Sequence, residues 1–154
     1  PTAAELAADE LAALLPENAG GYALQSAVFT LDPIGAELDR EILAELQAAA
    51  EANEADLGLF AIGQAGGSGP EGFVTVAAVR IPGVPGEQLQ AAVAELLLPE
   101  FDTEGAPVEE HGERSARVID LGDGQSAYIF SSGDVVWFVV TADEDPGEII
   151  ASLP

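Results

Sequence analysis

The chain has no cysteine, no methionine and no lysine, and only one histidine and one tryptophan. Without cysteine there is no disulfide, no thiolate nucleophile and no zinc or iron–sulfur site built on sulfur. Without lysine, four arginines face 28 Asp and Glu, a formal net charge of −24 at pH 7. A field of that sign repels phosphate backbones and anionic headgroups. Nucleic acid and membrane surfaces are therefore excluded as expected partners, and cations, basic peptides and neutral protein surfaces remain. The longest apolar run, residues 135–140, is strand length, far short of the roughly 18 residues a membrane-spanning helix needs.

What is present points to a folded domain. Disorder goes with low hydrophobicity and high charge, whereas 48% of these 154 residues are hydrophobic. A chain of this length buries roughly 70% of the surface its unfolded form exposes, enough for a core without staples. We read residues 1–154 as a single α+β domain. Its stretches are an N-terminal helix and linker (1–20), two strand–helix units (21–65 and 72–112), and a β-meander with a terminal helix (113–154).

Local chemistry sets the elements. Thr2-Ala3-Ala4-Glu5 has the form of a capping box and opens a helix that Pro16 stops. Asn18-Ala19-Gly20-Gly21 is a turn, and residues 22–31 alternate as a strand until Asp32-Pro33. Residues 35–52 carry the strongest helical period, with Ile34, Leu38, Ile42, Leu46, Ala49 and Ala50 on one face. Glu37, Glu41 and Glu45 mark its solvated side. Residues 57–65 and 73–81 read as strands flanking a loop, Gly66-Gly67-Ser68-Gly69-Pro70. That loop opens no helix, so it is not a phosphate cradle. Residues 87–98 form a second amphipathic helix ended by Pro99. Strands follow over 107–110, 114–121, 125–131 and 135–141, and Gly122-Asp123-Gly124 and Ser132-Gly133-Asp134 have hairpin chemistry. Residues 149–153 begin a last short helix. The order predicts a mostly antiparallel sheet with helices on one face, a ferredoxin-like βαββαβ start and a β-meander behind it.

Displacing the chain by 51 residues aligns Ala27-Val28 with Ala78-Val79, Gly35 with Gly86, Leu38 with Leu89, Ile42 with Val93 and Leu46 with Leu97. A shorter echo runs through Val139-Val140, Asp145-Pro146-Gly147 and Ile149-Ile150. Duplication of a strand–helix unit accounts for this; so does the liking of strand-to-helix turns for Pro and Gly. Glu10-Leu11-Ala12-Ala13-Leu14-Leu15-Pro16 also resembles Glu148-Ile149-Ile150-Ala151-Ser152-Leu153-Pro154, as if one copy ended where another began.

Leu15-Pro16-Glu17 with Gly20-Gly21, Arg80-Ile81-Pro82-Gly83-Val84 with Leu89, and Tyr128 with Gly133-Asp134-Val135-Val136 resemble uncharacterised secreted or lipoprotein domains of GC-rich bacteria. That resemblance implies an extracytoplasmic α+β domain, secreted or at the cell surface. It brings no catalytic residues.

Candidate chemistry is sparse. His111, in Glu109-Glu110-His111-Gly112-Glu113, has carboxylates beside it but no second nitrogen ligand of the kind a transition metal prefers. It completes no Ser/His/Asp set. Asp120 and Asp123, around a glycine turn, together with Asp143 and Asp145, are the candidate ligands for a hard cation such as calcium. The plainer reading makes the first pair a turn and the second a helix cap. Trp137 is expected in the core, and Arg80, Arg114 and Arg117 are expected to be held by carboxylates. The function expected is a non-catalytic structural or protein-interaction domain, as a unit of a tandem array or a self-associating protein. An acidic divalent-cation-binding module is the alternative, and a small hydrolase stands below it.

Overall fold

The computed structural model describes residues 2–19, 21–31, 38–69, 72–101, 103, 105–111, 113–141 and 146–154. In chain order the elements are α1 (Ala3–Leu14), β1 (Asn18–Ala19), β2 (Tyr22–Ala23), β3 (Gln25–Thr30), α2 (Arg40–Ala52), a 3-10 turn (Leu57–Leu59), β4 (Ala61–Gly69) and β5 (Gly72–Arg80). Then come α3 (Gly86–Leu97), β6 (Val108–His111), β7 (Arg114–Gly122), β8 (Gln125–Ser132), β9 (Val135–Thr141) and α4 (Gly147–Ser152). The α+β class and the antiparallel sheet are as expected. Seven strands run in the order β3-β4-β5-β9-β8-β7-β6, every neighbouring pair antiparallel. β1 and β2 form a separate small hairpin.

The succession βαββαβ from β3 to β6 is the one read from the sequence. Its pairing differs from a split βαβ arrangement: β3 lies antiparallel beside β4, and β6 sits at the opposite edge. The meander β6-β7-β8-β9 instead joins the first strands through the β5–β9 pair.

The expectation of helices on one face gives way to two covered faces. On the first, Ile62, Ala77, Val79, Ile129, Val136 and Phe138 meet Ile42 and Leu46 of α2 and Leu89 and Val93 of α3. On the second, Val74, Val76, Ala78, Tyr128, Phe130, Trp137 and Val139 meet Leu11 of α1 and Ile149 and Ile150 of α4. The cause is the unbroken apolar run in β9, where Val135, Val136, Trp137, Phe138 and Val139 are all buried. Consecutive side chains point to opposite faces, so such a strand needs cover on both sides.

Capping chemistry positions two of the helices. The Glu5 amide donates to Thr2 Oγ1 at 3.1 Å and the Thr2 amide to Glu5 Oε2 at 3.0 Å, the reciprocal pair anticipated for α1. Asp39 caps α2 by accepting from the Glu41 amide at 2.8 Å, so that helix starts at Arg40 rather than at residue 35. Ile34, Gly35 and Glu37 lie outside the described residues. Gly63 leaves room under the C-terminal end of α1 for the Leu15 and Leu11 side chains. A Cβ there would stand 2.9 Å from Leu15 Cδ1 and 3.3 Å from Val28 Cγ2. The glycine-rich segment is not a loop: Gly66 to Gly69 continue β4 and pair with Thr75 to Gly72 of β5. At Gly67 the backbone carbonyl of Ala23 approaches too closely for any Cβ, so glycine serves here to let β2 cross the strand.

Candidate functional site

A concave surface lies between α3 and the strands β7 and β8. Two hollows, of about 130 and 510 Å³, share Glu87, Gln90 and Arg117. The larger adds Val108, Glu113, Arg114, Ser115 and Ser131; the smaller reaches Ala94, Thr103 and Ile129. Gln90 Nε2 donates to the Ile129 carbonyl at 3.3 Å and Arg117 Nη1 to the Thr103 carbonyl at 3.4 Å. Arg117 projects here because it pairs with Ile129 in register, and Ile129 belongs to the face under α3. The groove is lined by two arginines, three hydroxyl residues and two glutamates, enough to orient a polar group but with no base set against a nucleophile.

His111 sits elsewhere. It ends β6 and packs edge-on against Tyr128, ring centroids 5.8 Å apart, on the face covered by α1 and α4. Its Nε2 is 3.3 Å from Glu109 Oε2, an ion-pair distance without hydrogen-bond alignment. Burial raises the pKa of Tyr128, and the Glu109 carboxylate adds to this against a hydrogen bond with Ser126.

The arginines are built into the structure. Arg80 Nη1 bonds Glu10 Oε2 at 2.8 Å, and its Nε lies 3.1 Å from Asp134 Oδ2, which ties β5 to α1 and to the β8–β9 turn. Burial works against its charge, but Asp134 and Glu10 outweigh it and raise its pKa. Arg114 is held differently from the carboxylate pairing expected. Its Nη1 donates to the Ile150 carbonyl at 2.7 Å, and its guanidinium lies 5.3 Å from the Phe130 ring centroid.

Of the candidate cation ligands, Asp120 and Asp123 share the β7–β8 hairpin. Asp120 Oδ1 accepts the Gly122 amide at 2.9 Å. Asp123 occupies the left-handed region at φ 53° between Gly122 and Gly124, both also positive. These are turn roles. Asp143 and Asp145 lie outside the described residues. Among the described residues, no three side chains of metal-ligating type converge, and no helix is long and apolar enough to cross a membrane.

The sequence reading missed the groove and the hold of Arg114 on α4. The clue available was that β7 carries two of only four arginines. No family model, no curated protein and no solved structure matches this chain.

Proposed function

We propose that this is a non-catalytic protein-interaction domain working outside the cytoplasm, as one unit of an array or as part of an assembly. One observation carries the reading. Helices occupy both faces of the sheet, and two of the four exposed large apolar side chains among the described residues stand on its edge strands: Phe29 on β3, 45% exposed, and Val108 on β6, 56% exposed. Edge strands present unpaired main-chain groups and are the ready place for another chain to join. The resemblance to secreted and lipoprotein domains, and an anionic shell that favours basic or neutral protein surfaces, support the same reading.

The test is in-cell cross-linking followed by sizing of the native material, with protease accessibility to place it relative to the membrane. A cross-linked neighbour and a particle larger than one chain are expected. A lone monomer with no neighbour, or a cytoplasmic pool alone, would overturn the proposal.

A further inference from the structure

The two edges of the sheet are unlike each other. β6, Val108–His111, carries Glu109 and Glu110. Charges on an edge strand discourage pairing with a stranger. β3, Gln25–Thr30, reads Gln-Ser-Ala-Val-Phe-Thr and has no charge at all. In a chain with 28 acidic residues, six uncharged positions in a row on an exposed edge make an unguarded strand. Gln25, Ser26, Ala27 and Phe29 are all exposed.

Beside β3 the sheet is hollowed. A depression of about 480 Å³ lies over Gln25, Ala27, Gln64, Gly66 and Thr75. Small residues leave it open between two glutamines: Ala27 pairs with Gln64 and Gly66 with Gln25, and Gly66 also pairs with Thr75. A Cβ on Gly66 would meet nothing nearer than 3.8 Å, so no packing contact requires glycine there. Long side chains from a strand added alongside β3 would lie in this hollow. Charge sets their sign. Among the described residues, no charged side chain lines the hollow, and the whole chain is −24 with no lysine. Lysine and arginine bring an aliphatic stem for the hollow and a cation for the anionic field of the whole chain. A second copy would bring a further −24 to the same edge.

We propose that β3 is a docking edge for an extended lysine- or arginine-bearing segment of another protein, added as an eighth strand with its long side chains over Ala27 and Gly66. Main-chain hydrogen bonds to the edge supply affinity and the hollow supplies side-chain choice. This rests on the interaction-domain reading and names its surface and the chemistry of its partner.

The experiment uses the intact chain and a synthetic ten-residue peptide of alternating Lys and Val, with a Glu and Val counterpart, followed by calorimetry and amide hydrogen exchange. The lysine peptide is expected to bind and to slow exchange at β3 by about tenfold or more, and the glutamate peptide to do neither. Two variants separate edge docking from general attraction to an acidic protein. Ala27→Lys changes net charge by one in 24 but puts a cation and bulk on the edge, and Gly66→Val fills the hollow without charge. Each is expected to weaken binding about tenfold while the free protein melts as before. Protection elsewhere than β3, unchanged binding by both variants, or equal binding of the glutamate peptide would overturn the proposal. So would sizing that shows the peptide-free chain dimerising through β3, which would make a second copy the occupant. Cross-linked neighbours contacting the domain away from β3 would sink this inference alone; no neighbours at all would sink the interaction reading beneath it.

Discussion

The two faces of the sheet are held by different chemistry. Under α2 and α3 the contacts are mostly aliphatic: Ile42, Leu46, Leu89 and Val93 on Val79, Ile129 and Val136. The two helices there are 13 and 12 residues long. They are joined by Asn53 Nδ2 donating to Gln88 Oε1 at 2.7 Å. Under α1 and α4 the sheet presents Trp137, Phe130 and Tyr128, with Arg114, His111 and Glu109 among or beside the rings. The anchor at α4 follows from the length of that helix. α4 has only six residues, too few to be helical unaided. Arg114 fastens it by bonding the Ile150 carbonyl, a cation at a helix C-terminus. A long amphipathic helix needs only a greasy partner; a short one needs a specific anchor.

Deleting the largest side chain should test this contrast hardest. Trp137 is fully buried, and Trp137→Ala should cost about 3–5 kcal/mol, with Leu89→Ala on the opposite face costing about 2–5 kcal/mol, both read by urea unfolding. Trp137→Phe sharpens the comparison. The Trp137 Nε1 finds no acceptor among the described residues, and an unpaired buried donor costs about 1–3 kcal/mol. Losing that donor offsets lost volume, so Trp137→Phe should lie within about 1 kcal/mol of the wild type. A cost near that of Trp137→Ala would show that the donor is satisfied.

Next in size is the anchor itself. Arg114→Ala should cost about 1.5–3 kcal/mol, the range for a hydrogen bond to a charged group. Amide exchange should speed up in α4 and not in α2 or α3. Arg114→Lys should recover only part of this, because an ammonium cannot both stack on Phe130 and reach Ile150 with a planar fork. Equal loosening of α3 would break the distinction between the faces. Smaller again, Thr2→Ala removes one half of the α1 capping box and should cost about 1 kcal/mol by thermal or urea unfolding.

How much of this was legible beforehand depends on whether the signal was local. The capping box at Thr2, the hairpin at Gly122-Asp123-Gly124 and the bounds of β9 depend on neighbouring residues, and the sequence reading holds at each. Pairing was not legible, because β3 beside β4 and β6 at the far edge are set by how the whole sheet closes its core. The second helical layer was hinted at by the run from Val135 to Val140, which was read for its length rather than for its two-sidedness. Gly66 to Gly69 misled because glycine marks turns in general, whereas here the Ala23 carbonyl crosses Gly67 and the strand continues. Arg80 was read correctly as a structural cation. Arg114 was assigned a carboxylate partner when a helix-end carbonyl and an aromatic ring hold it, and a contact 36 residues along the chain leaves no trace in spacing.

The smallest expected effect concerns pH. Tyr128 is the titratable side chain of the aromatic face whose pKa burial raises, with Glu109 adding to the shift. Below the ordinary tyrosine value of about 10 the ring is protonated in folded and unfolded chains alike. Between that value and the higher folded one, the unfolded chain releases a proton that the folded chain keeps. The unfolded state then holds fewer protons, so stability falls as pH rises through this window. Urea unfolding at about pH 8 and again just above the ordinary tyrosine pKa should show that fall in the wild type and a shallower one in Tyr128→Phe. The phenyl ring also keeps the edge contact with His111, so the two proteins should agree more closely at the lower pH than at the higher. An identical fall in both would mean that the Tyr128 hydroxyl ionises as freely in the folded protein as in water, and the aromatic face would then differ from the aliphatic one in Arg114 and Trp137 alone.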